Sequence, residues 1–227
     1  PLKQGYPLSA FWSYQFTGLN GTNGYPTFAN ATYDDVDGNG SVDPTTFLVY
    51  SGQGEPDFSG GFNTRIRWKD FNFGIDFAAN LGAQKRLPNP YSTFTYGKMP
   101  DIYSNLSKEL NNRWKQPGDE AHTNIPALYT SVRDLYNLNL PNGLYDNIYS
   151  MWAQSDVRVV DASFLRCTQI SLSYNVPRKA CQKLGLSRIS VSANVNNLFV
   201  IASKEWRGYD PELGNSISQP LHITFTG

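Results

Sequence analysis

Residues 35 to 43 read Asp35-Val36-Asp37-Gly38-Asn39-Gly40-Ser41-Val42-Asp43. This places side-chain oxygens at the first, third, fifth and ninth places of a calcium loop, with glycine at the sixth, where the chain must turn sharply. Asp35, Asp37, Asn39 and Asp43 are therefore candidate ligands for Ca2+, a hard cation that takes oxygen donors. The twelfth place, where an EF-hand carries a bidentate glutamate, is Thr46, so an EF-hand is not supported. The same Asp/Asn/Gly composition also builds a plain solvated turn, and both readings stand.

Other chemistry is sparse. The two histidines, His122 and His222, are far apart with no Cys or carboxylate at ligand spacing, which argues against a catalytic metal. Cys167 and Cys181 flank a predicted turn, where a disulfide is conceivable, although Cys167 lies deep in its strand. No nucleophile elbow or phosphate loop appears, and the adjacent Asp119-Glu120 is background. No enzyme, catalytic residue or organic cofactor is expected. Trp114, Trp152 and Trp206 fall on predicted loops, where they could stack on sugar rings or anchor the loops. Ile102, Leu106, Leu110 and Trp114 recur every four residues after Asp101, predicting a capped helix that ends before Pro117-Gly118. Such a helix would pack onto the loop region or contribute to a partner surface.

The elements that must carry these residues are strands. The chain has 227 residues, with 14 Tyr, 13 Phe, 5 Trp, 19 Gly and 14 Pro, which favours many strands and long irregular loops. Its 19 basic and 19 acidic residues cancel and form no basic run, so the electrostatic footprint for nucleic acid is missing. Mean hydropathy is −0.44 and no apolar window could form a transmembrane helix. A transmembrane barrel stays open, because half of each barrel strand is polar. The start, Pro-Leu-Lys-Gln-Gly, has no initiator Met or signal segment, so the chain is expected to begin inside a longer protein.

From Phe62 to Lys69, the even positions are Phe, Thr, Ile and Trp and the odd positions Asn, Arg, Arg and Lys. From Phe71 to Phe77, the odd positions are Phe, Phe, Ile and Phe. A two-residue turn at Lys69-Asp70 would pair 68 with 71, 66 with 73, 64 with 75 and 62 with 77, joining apolar to apolar throughout. The same register sets Asp76 opposite Asn63 and diagonal to Arg65. Turning Arg65 and Arg67 into lipid would cost roughly 2 to 4 kcal/mol each, so in a barrel the aromatic face must meet lipid, with Trp68 and Phe71 at the interface. In a sandwich the same face would be core.

Residues 164–176 and 189–196 repeat the alternation with Ser/Asn-rich polar faces, and segments 10–19 and 221–225 complete a set of six strands. Their connections run near 20–60, 69–70, 82–162, 177–187 and 199–219, alternating long and short. A sandwich has no reason to do this, whereas outer-membrane barrels combine short periplasmic turns with long external loops.

Seven segments then stand in a telling order. They are Gly5-Tyr6-Pro7, the Asp-rich run from Asp35, Arg113-Trp114 with Pro117-Gly118-Asp119, Val160 to Arg166, Ile170 to Pro177, Asn196-Asn197-Leu198-Phe199, and Gly208-Tyr209-Asp210-Pro211-Glu212. In this order the chain resembles the C-terminal barrel portion of the SusC/RagA-like TonB-dependent transporters, over nearly its whole length. The resemblance implies an all-β, antiparallel transmembrane barrel segment, about six strands of a roughly 22-stranded plugged barrel, with long extracellular loops. It further implies a multi-pass protein of a Bacteroidetes outer membrane that imports oligosaccharides or peptides. Its partners would be a SusD-like surface lipoprotein and, through an N-terminal part without counterpart here, the TonB complex. Residues 1–227 are expected to be a piece lacking the plug, since an open sheet edge cannot persist in lipid. A passive outer-membrane pore or adhesin and a soluble carbohydrate-binding β-sandwich are the alternatives.

Overall fold

The structure, a computed structural model, describes residues 3–29, 48–91, 106–129, 147–213 and 221–226. It divides into two compact units, Pro1–Gly54 with Arg86–Val160 and Glu55–Lys85 with Asp161–Gly227.

In the first unit the strand predicted over 10–19 is broken at Gln15. Its halves, β1 (Ala10–Tyr14) and β2 (Phe16–Leu19), pair with different partners. β1 runs antiparallel to β4 (Leu48–Gln53), with Trp12 opposite Tyr50, and β2 to β3 (Pro26–Phe28), with Phe16 opposite Phe28. Helix α1 (Ile148–Ala153) starts at Asn147, whose side-chain oxygen accepts from the N–H of Tyr149 and Ser150, meeting two otherwise orphan donors. The core gathers Phe28, Tyr91, Leu110, Ile125, Tyr149 and Trp152. Only a 3-10 turn, Lys108–Asn112, capped by Ser107, occupies the described part of the predicted loop helix. Leu110 and Trp114 are buried as the stripe requires, but Leu106 is exposed, and residues 101–105 lie outside the described residues.

The second unit is built on one antiparallel sheet of five strands. Its members are β5 (Phe58–Trp68), β6 (Phe71–Leu81), β9 (Phe164–Asn175), β10 (Ser190–Ala202) and β11 (His222–Thr226), in the order β11-β10-β9-β6-β5. Short strands β7 (Gln84–Arg86) and β8 (Val159–Asp161) lie where the chain passes between units. The described residues hold eleven strands, short ones standing beside those expected from the sequence and the 10–19 segment divided in two. The additional ones are short or poorly alternating, so no period of two marks them in the sequence. Lys69, at φ 53°, turns the β5–β6 hairpin in the predicted register. The β9–β10 connection contains a helix, α2 (Arg178–Lys183), ended by Gly185 at φ 69°.

Register sorts the sheet into rows. Trp68, Phe71, Tyr174 and Val191 share one, Ile66, Phe73, Leu172, Ala193 and Phe225 another, and Thr64, Ile75, Ile170, Val195 and Ile223 a third. Between them run polar rows, such as Arg67, Asn72, Ser173, Ser192 and Thr226, or Asn63, Asp76, Gln169, Asn196 and His222. Neighbouring rows point to opposite faces, so one face of the sheet is apolar and the other polar.

Register shifts preserve this sorting. Opposite the step from Asp76 to Phe77, β9 inserts Thr168 and β10 inserts Asn197 and Leu198, with Asn197 at φ 54°. A single extra residue moves the apolar positions of β9 from even numbers to odd. Phe62, Phe77, Cys167 and Phe199 therefore continue the apolar face, with the rings of Phe77 and Phe199 6.3 Å apart.

Candidate functional site

Two ion-pair clusters stand on the polar face of the second unit among the described residues. Near the short-turn end, Arg65 reaches across the hairpin to Asp76 with two hydrogen bonds of 2.7 and 2.9 Å, the diagonal predicted from the register. At the opposite end, the segment after β10 folds back over Arg166, which the parity switch in β9 has turned to this face. Arg166 Nη2 donates to both oxygens of Asp210, at 2.8 and 2.7 Å, and lies 2.9 Å from Glu212 Oε2. Arg166 and Asp210 are each 5% exposed, whereas the Glu212 side chain is half exposed.

Neighbouring bonds fix the same segment. Trp206, at 1% exposure, donates its indole N–H to Asp161 O at 2.8 Å. Lys85 Nζ donates to Pro211 O at 2.7 Å, and Arg207 and Gly208, both at positive φ, reverse the chain between them. Beside this latch lies a cleft of about 300 Å3, lined by Asn197, Val200, Trp206, Tyr209 and Asp210. The Nε of Arg166 is buried without a hydrogen-bond partner among the described residues. The sequence segments 160–166 and 208–212 thus meet as one structure. Their charges are complementary, but a separation of 44 positions along the chain hid the pairing from any local pattern.

In the first unit, the loop from Asn111 to Thr123 is held by its own acids. Asp119 Oδ2 accepts the N–H of Lys115 and Gln116, and Glu120 Oε2 accepts from Trp114 Nε1 at 3.0 Å and from Gly118 N–H at 2.8 Å. Hydrogen bonds, first from its own backbone N–H and then from Trp114, hold the Glu120 carboxyl below the usual range. Trp114 also packs on Gly24, where a Cβ would sit 2.3 Å from the indole. Deeper in this unit, Arg158 pairs with buried Glu109, donates to Pro88 O at 2.5 Å and stacks over Trp152, its guanidinium carbon 4.5 Å from the ring centre.

These placements locate the residues singled out in the sequence. Trp114, Trp152 and Trp206 are 8%, 1% and 1% exposed with every indole N–H bonded, so they anchor loops and present no stacking face for a sugar. Cys167 and Cys181 are both buried free thiols. Cys167 sits in the ladder opposite Phe77, while Cys181 approaches Val176 O at 3.5 Å. Asp119 and Glu120 fasten turns. Asp35, Asp37, Asn39 and Asp43 lie outside the described residues. Among the described residues, no group of three His, Cys, Asp or Glu could hold a metal ion. His222 shares a 3.1 Å hydrogen bond with Thr224 at the sheet edge.

An antiparallel sheet with one apolar and one polar face, a tight turn at one end and long connections at the other, has the build of a segment of barrel wall. No family model matches the chain. Known proteins do. The chain is 29% identical over 184 residues to TonB-dependent receptor P39 of Formosa agariphila, covering 81% of this chain and 16% of that protein. It is 26% identical over 228 aligned positions to TonB-dependent receptor SusC of Bacteroides thetaiotaomicron, covering 98% of this chain and 19% of SusC. The RagAB peptide importer in its open-open state superposes with a TM-score of 0.57 at 22% identity, over 92% of this chain and 20% of the solved one. The closed-closed state gives 0.56 over 93% and 21%. The chain therefore matches a portion of a SusC/RagA-like TonB-dependent transporter, and it spans 16 to 19% of the length of the curated relatives it matches.

Proposed function

We propose that this chain forms wall and loops of an outer-membrane TonB-dependent importer of the SusC/RagA type, taking up oligosaccharides or peptides with a SusD-like lipoprotein. The observation that carries the reading is the exposed apolar face of the five-stranded sheet. Phe62 and Trp68 are each 63% exposed and Phe225 76%, with Leu172, Val191, Ile201 and Ile223 also exposed. A soluble sandwich would cover such a face with a second sheet. Within the second unit the described residues leave it uncovered, and a hydrocarbon phase is the solvent that stabilises it.

The two faces divide the work. Aromatic and branched side chains meet lipid, with Trp68, Phe71 and Tyr174 clustered near the short-turn end as an interfacial girdle would be. The Arg, Asn and Ser rows line the interior, where water or a plug domain solvates them. Edge strands β5 and β11 then pair with further strands of the same barrel, because an open edge in lipid leaves backbone donors and acceptors unsatisfied. The latched segment over Arg166 holds a long connection against the inner wall. The name of the RagAB neighbours speaks for peptides, and assembly with a lipoprotein lid is what the resemblance to the SusC/RagA type implies.

The test is to express the full-length protein in its own host, fractionate the envelope and purify it in detergent. Recovery in the outer membrane with a bound surface lipoprotein is expected. A water-soluble monomer would overturn the reading and promote the carbohydrate-binding sandwich.

A further inference from the structure

The Asn111–Thr123 loop of the first unit forms a concave surface of about 460 Å3 in which every lining side chain is polar. Its shape is fixed from within. Asp119 fastens the backbone at Lys115 and Gln116, Glu120 ties Trp114 to Gly118, and Thr123 Oγ1 donates to Asn112 O at 2.6 Å. These local bonds engage Asp119 Oδ2, Glu120 Oε2 and the Asn112 carbonyl. Among the described residues, the amides of Asn111, Asn112 and Gln116 and the ammonium of Lys115 have no hydrogen-bond partner, and Arg113 uses one donor, to Leu110 O at 3.0 Å. The cleft thus offers two cations and three amides against one carboxylate already engaged by two backbone N–H groups. A rigid, donor-rich concavity with excess positive charge is suited to a carboxylate, which accepts several hydrogen bonds at once. Nothing apolar lines it, so a lipid or an aromatic ligand would find no purchase.

We propose that this cleft binds carboxylate groups of an oligomeric ligand, with Lys115 and Arg113 supplying charge and Asn111, Asn112 and Gln116 orienting donors. The proposal rests on the importer reading for its physiological sense, since it names the chemistry of a substrate the loops would hold. The experiment is calorimetry on the full-length protein in detergent with three probes, trigalacturonate, triglutamate and maltotriose. At low salt a carboxylated probe binds at least tenfold more tightly than maltotriose, and the difference shrinks as sodium chloride is raised. A preference for trigalacturonate assigns a glycan source, and one for triglutamate a peptide source. Lys115→Glu, at an exposed position, weakens the carboxylated probe about tenfold, the scale of one charge-assisted hydrogen bond, and leaves maltotriose unaffected. Equal affinity for all three probes, absence of binding, or an unchanged affinity in Lys115→Glu with native tryptophan fluorescence would overturn the site. Outer-membrane fractionation is independent of these results, so the site can fail while the importer reading stands.

Discussion

Replacing Arg166 with methionine removes a buried cation that Asp210 and Glu212 share. Methionine fills much of the same volume, so the loss is chiefly electrostatic. Asp210 keeps a hydrogen bond from Glu212 N–H at 3.0 Å but is otherwise a 5% exposed carboxylate without its counter-ion. Breaking one side of a buried pair costs about 3 to 5 kcal/mol. At 1.4 kcal/mol per tenfold, the segment 203–213 should open roughly two to four decades more often. Hydrogen exchange on the full-length protein reads this directly, as lost protection of the Trp206, Arg207 and Tyr209 amides, which donate to Ser203, Lys204 and Trp206 carbonyls. Protection in the β5–β6 hairpin should be unchanged. Glu212→Gln is the control, because its half-exposed side chain contributes less than about 1 kcal/mol. Wild-type protection in Arg166→Met, or equal effects of the two variants, would refute the latch.

Three further outcomes are expected. Ile170→Arg, in the middle row of the apolar face, should destabilise the membrane-inserted protein by about 2 to 4 kcal/mol in urea unfolding, while Ser171→Arg on the polar face costs less than half as much. Gly24→Ala places a Cβ against Trp114 at φ 68° and should lower stability by about 1 to 3 kcal/mol, seen as a red-shifted tryptophan emission. Burial raises the Tyr91 phenol well above its ordinary value near 10, so its contribution is whole below about pH 10 and is lost as pH rises through the folded value. Thermal unfolding should therefore fall more steeply above about pH 10 in wild type than in Tyr91→Phe.

The hairpin was legible because its alternation is strict and its turn short, so pairing apolar with apolar admits a single register. The ion pair from Arg65 to Asp76 followed from the same count. In β9 the alternation is interrupted at Thr168. One inserted residue inverts parity, and no composition signal marks it, so Cys167 and Arg166 could not be assigned to faces from sequence. The latch depends on Arg166 meeting Asp210 through a reversal at Arg207 and Gly208, a tertiary event that leaves only scattered charges in the sequence. The tryptophans were ambiguous because an amphipathic ring suits a sugar or a core equally, and burial alone decides between them. The loop helix was legible only in part: its stripe is buried at Leu110 and Trp114, the described residues hold one 3-10 turn there, and residues 101–105 lie outside them.

The most direct test of the barrel-wall reading is a spin-label scan of positions 169 to 174 on β9 in the full-length protein reconstituted in lipid, with Cys167 and Cys181 replaced by alanine. Oxygen accessibility should alternate with period two, high at positions 170, 172 and 174 and low at 169, 171 and 173. Uniform accessibility, or maxima at the serine positions, would contradict a lipid-facing apolar wall.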